Sequence, residues 1–181
     1  MRELRLNTAD LAGFARDLRV GDRVLLSGTV YTARDAAHGR IFQALDAGLK
    51  LPFELKNAVI YYAGPTPTKP DGQIGSFGPT TSARMDAFTP RLLDLGLAAT
   101  VGKGDRSPAV LDALRRNGAF YFCAGGGLGA LISRHIGAME EIAYAELGCE
   151  SVKRLTLCDL PVIVGADAEG NSLFQQRGKP E

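Results

Sequence analysis

Three short apolar runs, each breaking off at glycine, constrain this chain more than any other feature: NAVIYYAG (57–64), LAATVGKG (97–104) and AFYFCAGG (119–126). Runs of this length, rich in β-branched and aromatic residues, read as buried strands. The segments between them carry helical spacing. Met85, Phe88, Leu92 and Leu95 form one apolar side, with Pro90 marking a kink or a second start. Ser107, Pro108 and Gly118 bracket a second helix with a cap, a first-turn proline and a terminating glycine. Strand and helix therefore alternate through the middle of the chain, which is the pattern of an α/β fold.

Both ends are richer in strand. Upstream, a strand at Glu3–Leu6 leads to a helix capped around Asn7 or Thr8. A strand with its core at Val24–Thr32 then hands over to a helix at Asp35–Ala47, whose stripe is Ala37, Ile41, Leu45 and Gly48. Downstream, the spacing predicts a helix from Leu128 to Met139, a strand-like IAYAEL, and a strand through KRLTLCDLPVIVGAD with a hairpin-like continuation to SLFQQ. With 181 residues, 45% of them apolar, the chain reads as one domain spanning 1–181 with a sizeable core.

The formal net charge of +1, with both signs interspersed, gives no nucleic-acid signal, so any anion site must be built locally. No apolar run approaches the ~20 residues that span a bilayer, and the polar start MRELRLNTAD is unlike a signal peptide. A cytoplasmic or organelle-matrix protein is expected. Cys123, Cys149 and Cys158 are scattered and form no CxxC pair, which argues against a disulfide framework or a self-contained zinc site.

Four segments put a basic or hydroxyl side chain where a strand gives way to a loop: TARDAAH (32–38), GPTTSAR (78–84), VGKGD (101–105) and CAGGGLGA (123–130). Ligands in α/β sheets bind at the carboxyl ends of strands, so these loops are candidates for one pocket. GSFGPTTSARMD (75–86) is the richest of them. Its glycines and proline turn the backbone into a helix opened by Thr80 and Thr81. Four residues after Thr80, Arg84 shares its face, and a carboxylate there meets hydroxyl, amide and guanidinium together.

Each residue also has a plainer reading. Arg34 is a carboxylate clamp, or a helix-entry arginine paired with Asp35; His38 is an acid/base, a supporting partner or a structural histidine. Thr80 and Thr81 are helix caps on the plain reading, although capping needs one hydroxyl rather than two. Arg84 has Asp86 and Asp94 as surface partners, and Lys103 solvates a glycine turn. Gly125, Gly127 and Ala130, with Glu146 downstream, spell a loose dinucleotide-binding fingerprint whose spacing to the acid is short of the usual ~20 residues.

Taken together, SGTVYTARDAAH, YYAGPTPT, GSFGPTTSARMD and VGKGD, in that order, resemble the β subunit of class I iron–sulfur fumarate hydratases and the related tartrate dehydratase β subunits. The resemblance runs from the first strand to the Cys158 region. It implies a swivelling β/β/α domain with a mixed central sheet and flanking helices, which closes over an iron–sulfur α subunit. That partner carries a 4Fe-4S cluster, not ligated by this chain, with one iron open to substrate oxygen as a Lewis acid. A heterotetramer of two α–β pairs follows from the same resemblance.

Carried over by position, the resemblance gives Arg34, Arg84 and Lys103 the two substrate carboxylates and Thr80 the role of base, with Thr81 adding a hydrogen bond. Asp35 and His38 stand behind them as supporting residues. A threonine hydroxyl acts as a base only where dense positive potential lowers its pKa; otherwise Thr80 relays a proton to the partner. The implied reaction is the reversible hydration of fumarate to (S)-malate. Tartrate dehydration and mesaconate-type hydration are alternatives within the class, and a stand-alone nucleotide- or phosphate-binding module is the alternative outside it.

Overall fold

The computed structural model describes residues 2–14, 17–67 and 74–175. Among the described residues there are seven strands: β1 (Glu3–Asn7), β2 (Arg23–Thr32), β3 (Val59–Tyr61), β4 (Ala99–Gly102), β5 (Phe120–Ala124), β6 (Ile136–Ala143) and β7 (Val152–Ala166). The α-helices are α1 (Asp35–Asp46), α2 (Thr89–Asp94), α3 (Pro108–Asn117) and the short α4 (Gly129–Ile132).

The sheet is mixed, as an α/β reading with a mixed sheet expects. Strands β2, β3, β4 and β5 run parallel. The long β7 runs antiparallel to both β2 and β5, so the pairings close into a ring. β1 lies parallel to the first half of β2, and β6 lies antiparallel to the first half of β7.

Two cores follow from the side-chain alternation of the parallel strands. Val59, Tyr61, Ala99, Val101, Phe120 and Phe122 face Val24, Leu26, Leu155, Leu160 and Val162 of the long strands. On the opposite face, Ile60, Tyr62 and Tyr121 pack against Ala37 and Ile41 of α1, Leu92 and Leu93 of α2, and Val110, Leu111 and Leu114 of α3. The three middle strands are thus buried on both sides, which is why their sequences are continuous apolar runs.

The segment 128–139 departs from its expected single helix. α4 stops after Ile132, a 3₁₀ turn covers Ser133–His135, and β6 starts at Ile136. Glycine at 137 and pairing with the open edge of β7 win over helical spacing. The IAYAEL segment is likewise split, its first two residues ending β6 and the rest entering a 3₁₀ helix at Ala145–Glu150. The stretch 64–79 contains residues 68–73, which lie outside the described set, as does the last residue of SLFQQ; the hairpin-like return is present as the Ala166–Ser172 bridge.

Candidate functional site

Because β2 to β5 are parallel, their carboxyl ends share one edge of the sheet, and the antiparallel β7 begins there. Arg34 follows β2 as the residue before α1, Lys103 follows β4, and the glycine turn 125–127 follows β5. After β3 the chain leaves as a loop and returns. Pro79 then bridges Ala63 and Thr81 bridges Lys103, so 79–82 lies along the ends of β3 and β4. The Thr80 amide donates to the Tyr62 carbonyl at 2.6 Å, and the Ser82 amide donates to the Lys103 carbonyl at 2.9 Å.

This placement corrects the expected helix at Thr80–Thr81. The only helical turn here is a 3₁₀ helix at Ser82–Met85, and neither threonine caps it through its side chain. A fully formed α-helix begins only at Thr89, with Pro90 in its first turn, so the second start at Pro90 is the true one. Thr80 and Arg84 do not share a helix face. What holds Arg84 is Asp35 in the first turn of α1, which it grips with two bonds: Nε to Oδ1 at 3.1 Å and a terminal nitrogen to Oδ2 at 2.7 Å. Neither Asp86 nor Asp94 is its partner.

Arg34 pairs with Glu150, a residue that sequence reasoning missed, at 3.3 Å. Its Nε is buried and has no hydrogen-bond partner among the described residues. The Arg34 side chain packs on Gly64, where a Cβ would stand 3.4 Å from it and only 2.7 Å from the Cys149 carbonyl. Any larger residue at 64 pushes the two apart, so the glycine that ends NAVIYYAG is a spacing requirement. Lys103 is exposed and has no ion-pair partner among the described residues, and its side chain lies over Gly126.

Asp35 and His38 support this edge from α1. His38 is fully buried, stacked on Phe88 with centroids 5.2 Å apart, and its Nδ1 meets the Arg34 carbonyl at 2.8 Å. Since a carbonyl only accepts, Nδ1 carries the proton, and the buried Nε2 is left without a partner among the described residues. Burial is the main cause that lowers its pKa from 6.5 to about 4. A surface acid/base role is closed to it by its depth.

Beneath the edge lies a second residue the sequence did not flag. Arg106 is 4% exposed. Its Nε meets Asp86 at 2.7 Å, its terminal nitrogens reach Thr100 and Thr89 at 3.0 and 2.8 Å, and its guanidinium sits over the rings of Tyr62 and Tyr121. Asp86 also accepts the Ser107 amide at 2.6 Å, tying the Arg84 turn to the start of α3. Within the sequence, Arg106 sits in an unremarkable DRSP turn; only the three-dimensional convergence of hydroxyls and rings reveals it.

The dinucleotide fingerprint dissolves. The helix after the glycine turn has four residues, too few for a useful N-terminal dipole, and Glu146 is spent on an ion pair with Arg40. The cysteines lie apart in the fold, on β5, in the turn before β7 and on β7, and among the described residues no group of three or more His, Cys, Asp or Glu is arranged to hold a metal ion. No described helix is long and apolar enough to cross a membrane.

The family model described as Fumarase C-terminus matches residues 1–177. The anaerobic class I fumarate hydratase of Escherichia coli is 39% identical over 159 residues, which are 87% of this chain and 29% of that protein. The chain thus spans less than a third of the fumarate hydratases it matches. A putative L(+)-tartrate dehydratase subunit beta of Methanocaldococcus jannaschii is 38% identical over 91% of this chain and 87% of its own length. The L(+)-tartrate dehydratase subunit beta of Escherichia coli is 31% identical over 96% of this chain and 88% of its own length.

Proposed function

The chain belongs to the fumarase C-terminus family, and from that premise we propose that it is the β subunit of an iron–sulfur hydro-lyase that reversibly hydrates fumarate to (S)-malate. The observation that carries this reading is the common strand edge on which Arg34, Thr80, Thr81, Arg84 and Lys103 stand, tied together by the Thr81–Lys103 bridge and the Arg84–Asp35 pair. Three cationic side chains on one edge suit a dicarboxylate. The unpaired Arg34 Nε supports the same idea, because a buried donor without a partner costs roughly 1–3 kcal/mol and a substrate carboxylate satisfies it.

In this mechanism Arg34, Arg84 and Lys103 fix both carboxylates, and the Thr81 hydroxyl adds a hydrogen bond. Thr80 exchanges the proton at the carbon beside one carboxylate. The surrounding cations favour its deprotonated form and stabilise the charge that accumulates on the carboxylate as the proton leaves. Closure of the domain over its partner dries the cleft and strengthens each of these interactions.

Cys123, Cys149 and Cys158 lie too far apart in the fold to suit a 4Fe-4S cluster; in this reading the cluster is carried by the partner α subunit. The chain acts as a hinged, swivelling domain in a cytoplasmic heterotetramer of two α–β pairs. The near full-length match to two tartrate dehydratase β subunits favours L(+)-tartrate dehydration as the second reading.

The test is turnover of fumarate, L(+)-tartrate and mesaconate by the purified chain with and without a cluster-bearing α subunit. The reading expects no activity from the chain alone and hydration of fumarate with the partner. Dinucleotide binding by the isolated chain, with no turnover in the mixture, would overturn it.

A further inference from the structure

Glu150 sits at the junction of three elements. One carboxylate oxygen faces the Arg34 guanidinium at 3.3 Å, and the other accepts the Ala36 amide in the first turn of α1 at 2.9 Å. That is the work of a helix cap done from another part of the chain, since Arg34 at the capping position has no side-chain cap bond. The turn that carries Glu150 is held rigidly. Lys153, 7% exposed, places its ammonium within reach of four acceptors for its three N–H groups: the carbonyls of Gly148, Cys149 and Ser151 at 3.2, 3.4 and 3.3 Å and the Ser151 hydroxyl at 2.5 Å. Ser151 in turn donates to Glu141 at 2.6 Å, and its carbonyl takes the Thr32 hydroxyl at the end of β2.

The carboxylate is therefore fixed on a knot around a buried ammonium while it faces the cation expected to grip substrate. Both side chains are only about a fifth exposed, 22% for Arg34 and 20% for Glu150, so water screens this pair less than the surface pairs around it. We propose that Glu150 is a positioning residue: it fixes the direction of the Arg34 guanidinium and, through Arg34, sets the affinity for a substrate carboxylate. This rests on the dicarboxylate reading of the site.

Glu150→Gln tests it, because an amide oxygen still accepts the Ala36 N–H while the charge facing Arg34 is gone. The variants Glu150→Gln, Arg34→Ala and the double substitution are assayed with the α subunit, on whichever of fumarate or L(+)-tartrate the wild type turns over. Thermal unfolding is followed alongside. Glu150→Gln is expected to raise KM about 10- to 100-fold, by analogy with residues that orient metal ligands, with kcat and the unfolding temperature little changed.

In the Arg34→Ala background the same substitution is expected to add nothing. A wild-type KM for Glu150→Gln beside a defective Arg34→Ala would make Glu150 a cap and nothing more, overturning this inference alone. An undiminished Glu150→Gln effect in the Arg34→Ala background would do the same. Normal turnover by Arg34→Ala would overturn the functional reading, and this inference with it.

Discussion

At the level of single residues, the strongest constraints are the buried polar groups. Arg106 and Asp86 form a nearly dry ion pair, their side chains 1% and 13% exposed. Removing one member leaves the other charge stranded, so Arg106→Met is expected to destabilise the fold by about 3–5 kcal/mol in urea unfolding, whereas the exposed Arg84–Asp35 pair is worth at most about 1 kcal/mol. His38 gives a pH signature. Its pKa is about 4 when folded and 6.5 when free, so the unfolded chain binds the extra proton between those values. The stability that neutral, buried His38 contributes is therefore complete above pH 6.5 and is lost as pH drops toward 4, by up to roughly 3 kcal/mol. Unfolding curves across that range check it, and His38→Asn is expected to lose this component of the slope. That Arg34, Lys103 and the Thr80–Arg84 turn come to one edge of the sheet was legible in the sequence, because Arg34 and Lys103 directly follow strands and the turn belongs to the loop between β3 and β4. Arg106 and Glu150 were not, because their partners come from distant segments and no local spacing announces them.

Among the elements, close backbone approach fixes how the Thr80–Arg84 turn meets the sheet. A Cβ at Gly102 would stand 2.0 Å from the Ser82 hydroxyl and 2.9 Å from the Tyr62 ring, and that hydroxyl is engaged with the Tyr121 hydroxyl at 2.9 Å. Gly102→Ala is expected to cost about 1–3 kcal/mol in urea unfolding, and adding Ser82→Ala is expected to recover part of it. Buried strands and α1 and α3 were readable because the apolar period agrees with the fold, and in α3 Pro108 sits in the first turn as expected although Ser107 makes no side-chain cap bond. Gly118, at φ 63°, ends α3 where a terminating glycine was expected. Reading failed where tertiary pairing overrides local preference: β6 takes over the last third of an expected helix, from Ile136 onward, because the edge of β7 needs a partner, and Leu95, assigned to a packing face, is 45% exposed past the end of α2. The 3₁₀ turn at Ser82–Met85 was read as α-helix because spacing alone does not separate the two over one turn.

As a whole molecule, the ring of pairings around β2, β3, β4, β5 and β7 makes a rigid platform with its chemistry on one rim. The alternation of strand and helix disclosed the α/β class, while closure of the ring depended on a 15-residue β7 that contacts both ends of the parallel set, a long-range fact no local pattern encodes. On this account the rim grips a dicarboxylate only in company with another subunit. The most direct test is fumarate hydration by the chain assembled with its cluster-bearing α subunit, comparing wild type with Arg84→Ala and Lys103→Ala, each first shown to fold and to bind the partner. The account predicts that Arg84→Ala abolishes turnover and Lys103→Ala impairs it more mildly; wild-type rates from a folded, assembled Arg84→Ala enzyme would contradict it.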